Sequence, residues 1–441
     1  MPSRPASLWR DLDFVKLWIG QTISEIGSRV TVVALPLIAV LVLNAKPLQM
    51  GMLAGIGGLA SLIFGLAAGL CVDRLRPRPI LIVTDLGRAA ALGSIPLAAV
   101  FGVLQMPQIY IVVAVAGILT VLFDVAYQSY LPSLVERNQV LEGNSKLALS
   151  SSIAEIVGPG LTGILVQVFT APMAILLDAL SFLASALTVW LVRKPEPQVV
   201  PIPGSHVWEE LIAGMRAIAE SPIRRAIAGH SATAGFFGGF FASLYVLYAI
   251  SDLRLSPALL GGVIAVGGAG NVLGAGIAPR LMGRFGPGVT LIGSLLVMGA
   301  ASLMIPLAHG SVVTATAFLM LAQVGDVCWP VFNVCELSLR QAITPGEVLG
   351  RVNAAMQMAN RGLLPIGALG AGTLAEMTGV RPALAVGAAG LLLSSLWLVL
   401  SPIRKMRDYN SVTSVLPSGL NGSTQHSSRT TYIEKKGQIV R

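Results

Sequence analysis

The chain has 441 residues, 54% of them hydrophobic and 12% charged, with a formal net charge of +9 and a mean hydropathy of +0.77. Soluble domains carry about 25% charged residues, so this chain cannot cover an aqueous surface of its size, and lipid must be its solvent over most of its length. The excess of Lys and Arg then points to cytoplasmic loops and anionic headgroups rather than nucleic acid, and Cys71, Cys328 and Cys335, with no His cluster, suggest neither a disulfide framework nor a zinc site.

Residues 1–14 lack a basic region followed by a short apolar core and a small-residue cleavage site, so no removable signal peptide is expected and the first helix serves as its own insertion signal. A bilayer-spanning helix needs about 20 mostly apolar residues. Such spans are expected near 15–43, 48–71, 79–104, 109–133, 147–169 and 173–192, and again near 225–250, 257–281, 289–308, 311–336, 352–376 and 380–402. Together they form an all-α membrane protein with two six-helix bundles, 15–193 and 225–403. Between them, 194–205 (KPEPQVVPIPGS) is Pro-rich and extended. The following HVWEELIAGMRAIAE places Val207, Leu211, Met215 and Ile218 on one face, the pattern of an amphipathic helix along the membrane surface, so 194–224 reads as a cytoplasmic linker. The tail, 404–441, is polar, rich in Ser and Thr, without apolar period, and is expected to be disordered.

Orientation follows from the basic residues. With a cytoplasmic N-terminus the inner loops hold Arg74, Arg76, Arg78, Arg137, Lys146, Arg193, Lys194, Arg216, Arg224, Arg225, Arg280, Arg284, Arg340 and Arg351, against Lys46, Arg254 and Arg381 outside. Both termini are therefore expected in the cytoplasm. The halves also repeat: Gly69 and Arg74 answer Gly276 and Arg280, Asp124 answers Asp326, Asn144 answers Asn353 and Pro159 answers Pro365, at offsets of 202 to 209 residues. Duplicated halves around a central axis are the plan of many secondary transporters.

Three features carry chemistry. The loop GLCVDRLRPRP (69–79) places a Gly, an Asp and several Arg where the second helix leaves the membrane, a cluster able to bind neighbouring helix ends and latch one conformation. Gly158, Pro159 and Gly163 interrupt the fifth helix, where Pro removes a backbone hydrogen bond and Gly admits a neighbouring helix, a candidate hinge or simple packing. Finally, charges fall inside apolar spans, where each costs at least about 2.5–3.5 kcal/mol and so faces the bundle interior. Glu25 and Arg29 lie four apart on one helix face, Asp124 and Asp326 lie deep in helices 4 and 10, and Glu155 and Arg361 sit on helices 5 and 11. Burial penalises the charged form of a carboxylate and lets it load and release protons; the other reading of each is a fixed ion pair that orders helices. Asp178, Asp85 and Arg88 fit a structural role.

The loop 69–79 resembles the major facilitator pattern G-x-x-x-D-R-x-G-R-R, matched at Gly69, Asp73, Arg74 and Arg78. Residues 123–165, 176–187 and 349–372 resemble the twelve-helix drug:proton antiporter branch that includes macrolide efflux proteins and siderophore exporters, and Gly158-Pro159 with Gly163 resembles its antiporter motif. The resemblance spans about residues 8–403. It implies a major facilitator fold, alternating access, and proton-coupled efflux of a small amphiphilic compound through a largely apolar cavity. It also implies a monomer in the bacterial cytoplasmic membrane. The proton gradient would be the energy source, without cofactor or metal, since the Gly-rich run 261–276 has neither the preceding strand nor the G-K-[ST] of a nucleotide loop. Glu25, Arg29, Asp124, Glu155, Asp326 and Arg361 are the candidate proton and substrate residues. Export of a siderophore or other dedicated metabolite, and a non-pumping facilitator or receptor on the same fold, are the alternatives.

Overall fold

A computed structural model describes residues 8–72, 76–194 and 207–406, and among them every regular element is helical. The first half comprises α1 (Leu12–Leu41), α2 (Pro47–Val72), α3 (Pro77–Val100), α4 (Met106–Leu134), α5 (Val140–Val168) and α6 (Ala171–Trp190). After α7 (Val207–Glu220), the second half comprises α8 (Pro222–Leu247), α9 (Pro257–Ser302), α10 (Met304–Leu307), α11 (Val312–Ala322), α12 (Val324–Ile343), α13 (Gly346–Thr378), α14 (Val380–Ser394) and α15 (Leu396–Val399). The helix starts are written in the sequence. Proline stands in the first turn of α3, α4, α6, α8 and α9, where its missing N–H costs nothing. Asp11, Ser221 and Ser256 cap α1, α8 and α9 by accepting from backbone N–H groups of the first turn.

Among the described residues, ten helical stretches are long and apolar enough to cross a bilayer, one of them spanning Pro257 to Leu307. That stretch is two passes, because Gly286 turns the chain at φ 76°, a conformation open to a residue without Cβ. Adding α13, 33 residues long but carrying Glu347, Arg351, Arg361 and Glu376, yields the twelve passes expected.

The internal repeat is visible in hydrogen bonds. After α1, Leu43 N donates to Ile38 O and Ala45 N to Ala39 O; after α8, Leu253 N donates to Tyr248 O and Leu255 N to Ala249 O. Both loops turn through a positive φ, at Asn44 and Arg254, and lead into Pro47 and Pro257. Each pair is 210 residues apart. This offset corrects part of the sequence alignment. Gly51 of α2 packs on the Ala368 carbonyl and Gly372 of α13, while Gly261 of α9 packs on the Pro159 carbonyl and Gly163 of α5. The counterpart of Pro159 is thus Ala368 rather than Pro365, about one turn away.

These two contacts are the seams between the halves. A Cβ on Gly372 would lie 2.8 Å from the Pro47 carbonyl, and one on Gly163 would collide with that of Pro257. Only residues without side chains let the helices approach this closely. Both seams lie towards the end of the molecule that carries the α1–α2 and α8–α9 loops, so that end is sealed. The opposite end bears Arg10, Arg76, Arg193, Lys194 and Arg351, whereas Lys46, Arg254 and Arg381 belong to the sealed end.

Two boundaries move. α7 docks on α13 through Gly214, Ala217 and Ile218, with Gly214 against the Arg351 carbonyl, while Met215 stays half-exposed. Of the expected stripe, Ile218 is therefore on the docked face and Met215 at its edge; the side chains of Val207 and Leu211 lie outside the described residues. The ordered chain also continues beyond 404: Ile403 and Met406 are buried, and the Met406 carbonyl accepts from Gly288 N at 3.3 Å. The remainder of the tail and linker residues 195–206 lie outside the described residues.

Candidate functional site

A cavity of about 520 Å³ opens between the halves, on the side of the seams away from the α1–α2 and α8–α9 loops. Its first wall is one face of α4 (Thr120, Val121, Asp124, Val125, Gln128) with Leu62 of α2; its second is one face of α13 (Ala354, Gln357, Met358, Arg361). The spacings place these side chains on a single stripe of each helix. Half of the ten lining residues are polar or charged, so the cavity is not the largely apolar one expected from sequence. Asp124 and Arg361, both exposed to the cavity, come from opposite halves. Neither is in an ion pair: among the described residues these are Lys16–Asp13, Arg29–Glu25, Arg88–Asp85, Lys146–Glu142 and Arg340–Glu336. Arg361 and Arg88 are the cations, and Glu25 the anion, close enough to act on the Asp124 carboxylate.

Glu25 and Arg29 are paired as their spacing required, at 3.0 Å, and Glu25 also accepts from Ser151 Oγ at 3.1 Å. Glu25 lines a second cavity, of about 290 Å³, with Tyr127, Asn144 and Ser150. Gly158 is buried against Arg29 Cβ, so the motif glycine is what lets α5 lie beside this pair. Helix α5 runs unbroken through Pro159. Because Pro159 has no N–H, the Glu155 carbonyl loses its intrahelical donor. Gly268 packs on that same carbonyl, where a Cβ would lie 2.7 Å away. In this conformation the Gly-Pro motif builds a seam.

Glu155 and Asp326 lie at the seam, apart from the cavity wall. Asn271 Nδ2 donates to Glu155 Oε1 at 2.8 Å, a hydrogen bond between halves. Asp326 stands in the first turn of α12, just after the break at Gln323, where the helix dipole favours an anion. Its carboxylate lies against Gly267, beside Gln323, whose Nε2 donates to the Val263 carbonyl at 2.9 Å. Glu155 is the charge acting on Asp326, and Asp326 is near the buried Tyr245 hydroxyl.

Sequence reasoning missed Asn271, Gln323 and Tyr245, whose role depends on three helices meeting. It also assigned Arg340 to a loop. Arg340 is inside α12, paired with Glu336 at 3.3 Å, and the pair lines a pocket of about 140 Å³ with His230, Trp329, Asn333 and Asn360, which shares Gln357 and Arg361 with the wall of the central cavity. The Glu-x-x-x-Arg spacing, the same as in Glu25–Arg29, was the available signal.

Asp85, Arg88 and Asp178 are buried within the first half. Arg88 pairs with Asp85 and is held between the rings of Phe123 and Phe182, 4.3 and 4.1 Å from their centroids. Asp178 accepts from Thr31 and, at 2.9 Å, from Ser181. Of the expected latch, Arg78 donates to the Val189 and Trp190 carbonyls at the end of α6, the helix-end binding its charge suits. Gly69 lies in α2; its surroundings, and Asp73 and Arg74 altogether, lie outside the described residues. No group of three His, Cys, Asp or Glu side chains that could hold a metal occurs among the described residues.

The sequence profile of the Major Facilitator Superfamily matches residues 17–367. The chain is 27% identical to the multidrug efflux pump Tap of Mycolicibacterium fortuitum (86% of this chain, 93% of that protein). It is 24% identical to macrolide efflux protein A of Streptococcus pyogenes (85% and 91%) and 25% identical to the enterobactin exporter EntS of Escherichia coli O139:H28 (89% and 93%). In fold it matches a bacterial homologue of the iron transporter ferroportin in an inward-facing state, with a TM-score of 0.72 at 18% identity over 90% of this chain and 99% of that one.

Proposed function

The chain belongs to the major facilitator superfamily and is a multi-pass membrane transporter with efflux pumps among its relatives, and from that premise we propose that it couples proton entry to efflux of a small amphiphilic compound. One observation carries this reading: a cavity sealed on one side by two glycine seams and walled by an acid from one half and a base from the other. That is one of the two states alternating access requires. The excess of basic residues at the open end supports a cytoplasmic position for that end and for both termini, in the bacterial cytoplasmic membrane. The cavity shown thus faces inward, where an exporter loads.

Two sets of carboxylates serve the coupling. Asp124 faces the cavity, where a proton and a substrate compete for one group. Glu155 and Asp326 lie where the halves meet, so their charge states bias the seam. Arg29 and Arg361 supply the compensating cations, and the loop latch and Gly-Pro motif act on the switch between states. A monomer in lipid, with the proton gradient as energy source and no cofactor, suffices.

The test is efflux from vesicles with and without an imposed pH gradient, using a compound identified by a toxicity screen in a pump-deficient strain. Asp124→Asn and Asp326→Asn each reduce gradient-driven movement; normal pumping by both ends the proton-coupling assignment. Export of a dedicated metabolite is the second reading, supported by the likeness to a protein named an enterobactin exporter. A single biosynthetic product transported in place of diverse toxic compounds would favour it.

A further inference from the structure

We propose that the central cavity selects zwitterionic amphiphiles, compounds with a cationic group at one end and an acidic group at the other. This deepens the efflux reading and rests on it for the site. Each half places on the wall one charge that has no partner within ion-pair distance: Asp124 on the α4 stripe and Arg361 on the α13 stripe. The neighbouring charges are already neutralised within their own helices, Glu25 by Arg29 and Glu336 by Arg340. A guest that is only a cation pairs with Asp124 but leaves the Arg361 guanidinium desolvated beside a like charge. A guest that is only an anion does the reverse. A wall charge that a guest covers without offering it a partner loses its water and gains no ion pair, which weakens binding. A dipolar guest satisfies both walls at once. Between the charges, Leu62, Val121, Val125 and Met358 supply apolar contact. The volume, about 520 Å³, falls within the range of drug-sized sites. Gln128 and Gln357 stand four residues from Asp124 and Arg361 on the same stripes, so each charge has an adjacent neutral hydrogen-bonding group.

The two charges also differ in kind. Asp124 can exchange a cation for a proton, whereas a guanidinium does not release its proton in the physiological range. The acidic end of the guest therefore anchors on Arg361 throughout, and the cationic end is the one displaced when Asp124 is protonated.

A matched pair of dyes tests this. Tetramethylrhodamine is a zwitterion, and its methyl ester is a cation of nearly the same shape. Binding of each to the full-length protein in lipid nanodiscs is measured by fluorescence anisotropy, without any pH gradient. The wild type is expected to bind the zwitterion about tenfold more tightly than the ester, the scale of one charge-assisted hydrogen bond. Arg361→Gln brings the two to parity while the affinity for the ester holds or rises; Arg361→Lys keeps most of the preference. Asp124→Asn weakens both dyes together. Equal or stronger binding of the ester by the wild type, a preference that survives Arg361→Gln, or binding of neither dye overturns the proposal. Because the measurement is at equilibrium, a protein that does not pump still shows the preference. A pump without the preference defeats this inference alone.

Discussion

The carboxylate of Glu155 on α5 accepts a 2.8 Å hydrogen bond from Asn271 on α9, and this bond crosses from one half of the transporter to the other. It lies beside the place where Gly268 packs on the Glu155 backbone, so one residue contributes both a polar and a steric contact to the seam. A hydrogen bond to a charged group contributes about 1.5–3 kcal/mol. Asn271→Ala should therefore shift the equilibrium towards the state open at the sealed end by about tenfold or more. Spin labels on the exposed Lys46 and Arg254 positions, in the two loops of that end, would report longer distances. Unchanged distances would mean that the bond does not contribute to closure.

The glycine seams make a sharper steric prediction. A Cβ at position 163 would meet backbone atoms of Pro257, Ala258 and Gly261, which cannot rotate away, whereas one at Gly262 meets nothing within 4 Å. Gly163→Ala should cost about 1–3 kcal/mol of closure, the range of overpacking in a filled core. Gly262→Ala should behave as wild type. Labelling of the same loops and transport rate are the readouts, and equal behaviour of the two variants would refute the seam as a close-approach device.

Arg88 presents a stability test. Removing it leaves Asp85 buried without its partner, which costs about 3–5 kcal/mol where a buried pair is broken. Arg88→Ala should lower thermal stability markedly in detergent. The double variant Asp85→Ala with Arg88→Ala should recover part of the loss, because no uncompensated charge remains. If the single and double variants melt together, the ion pair is not what the Arg88 side chain contributes, and its stacking on Phe123 and Phe182 would account for the loss.

The pH dependence of binding follows from competition at Asp124. A proton neutralises the carboxylate and expels a cation, so affinity for the permanently charged rhodamine ester should rise with pH and level off once Asp124 is ionised. Linkage of one proton limits the slope to about tenfold per pH unit. Asp124→Asn should flatten the profile. A wild-type profile already flat from acid to neutral pH would remove Asp124 as the shared site.

How much of this was legible in the sequence differs by residue. Glu25 and Arg29 pair because both lie on one helix, four residues apart, and helix geometry alone brings them together. The same local rule reads Glu336–Arg340. The twelve passes were legible for a similar reason, since a bilayer demands long apolar runs wherever a helix crosses it. The repeat was legible in outline, but its register was not. Matching prolines put Pro159 with Pro365, whereas the packing puts it with Ala368, because a seam is set by where two backbones can touch rather than by residue identity.

The sequence by itself determined that this protein is helical, embedded in lipid, built in two halves and charged within its interior. Those properties depend on composition and on contacts within one helix. Only the tertiary structure decided what each buried charge faces: Asp124 and Arg361 a shared cavity, Asp326 and Glu155 a seam, Asp85 and Asp178 the interior of one half. Those environments arise where three or four helices meet, and the rotation of each helix about its axis depends on which glycines let its neighbours approach.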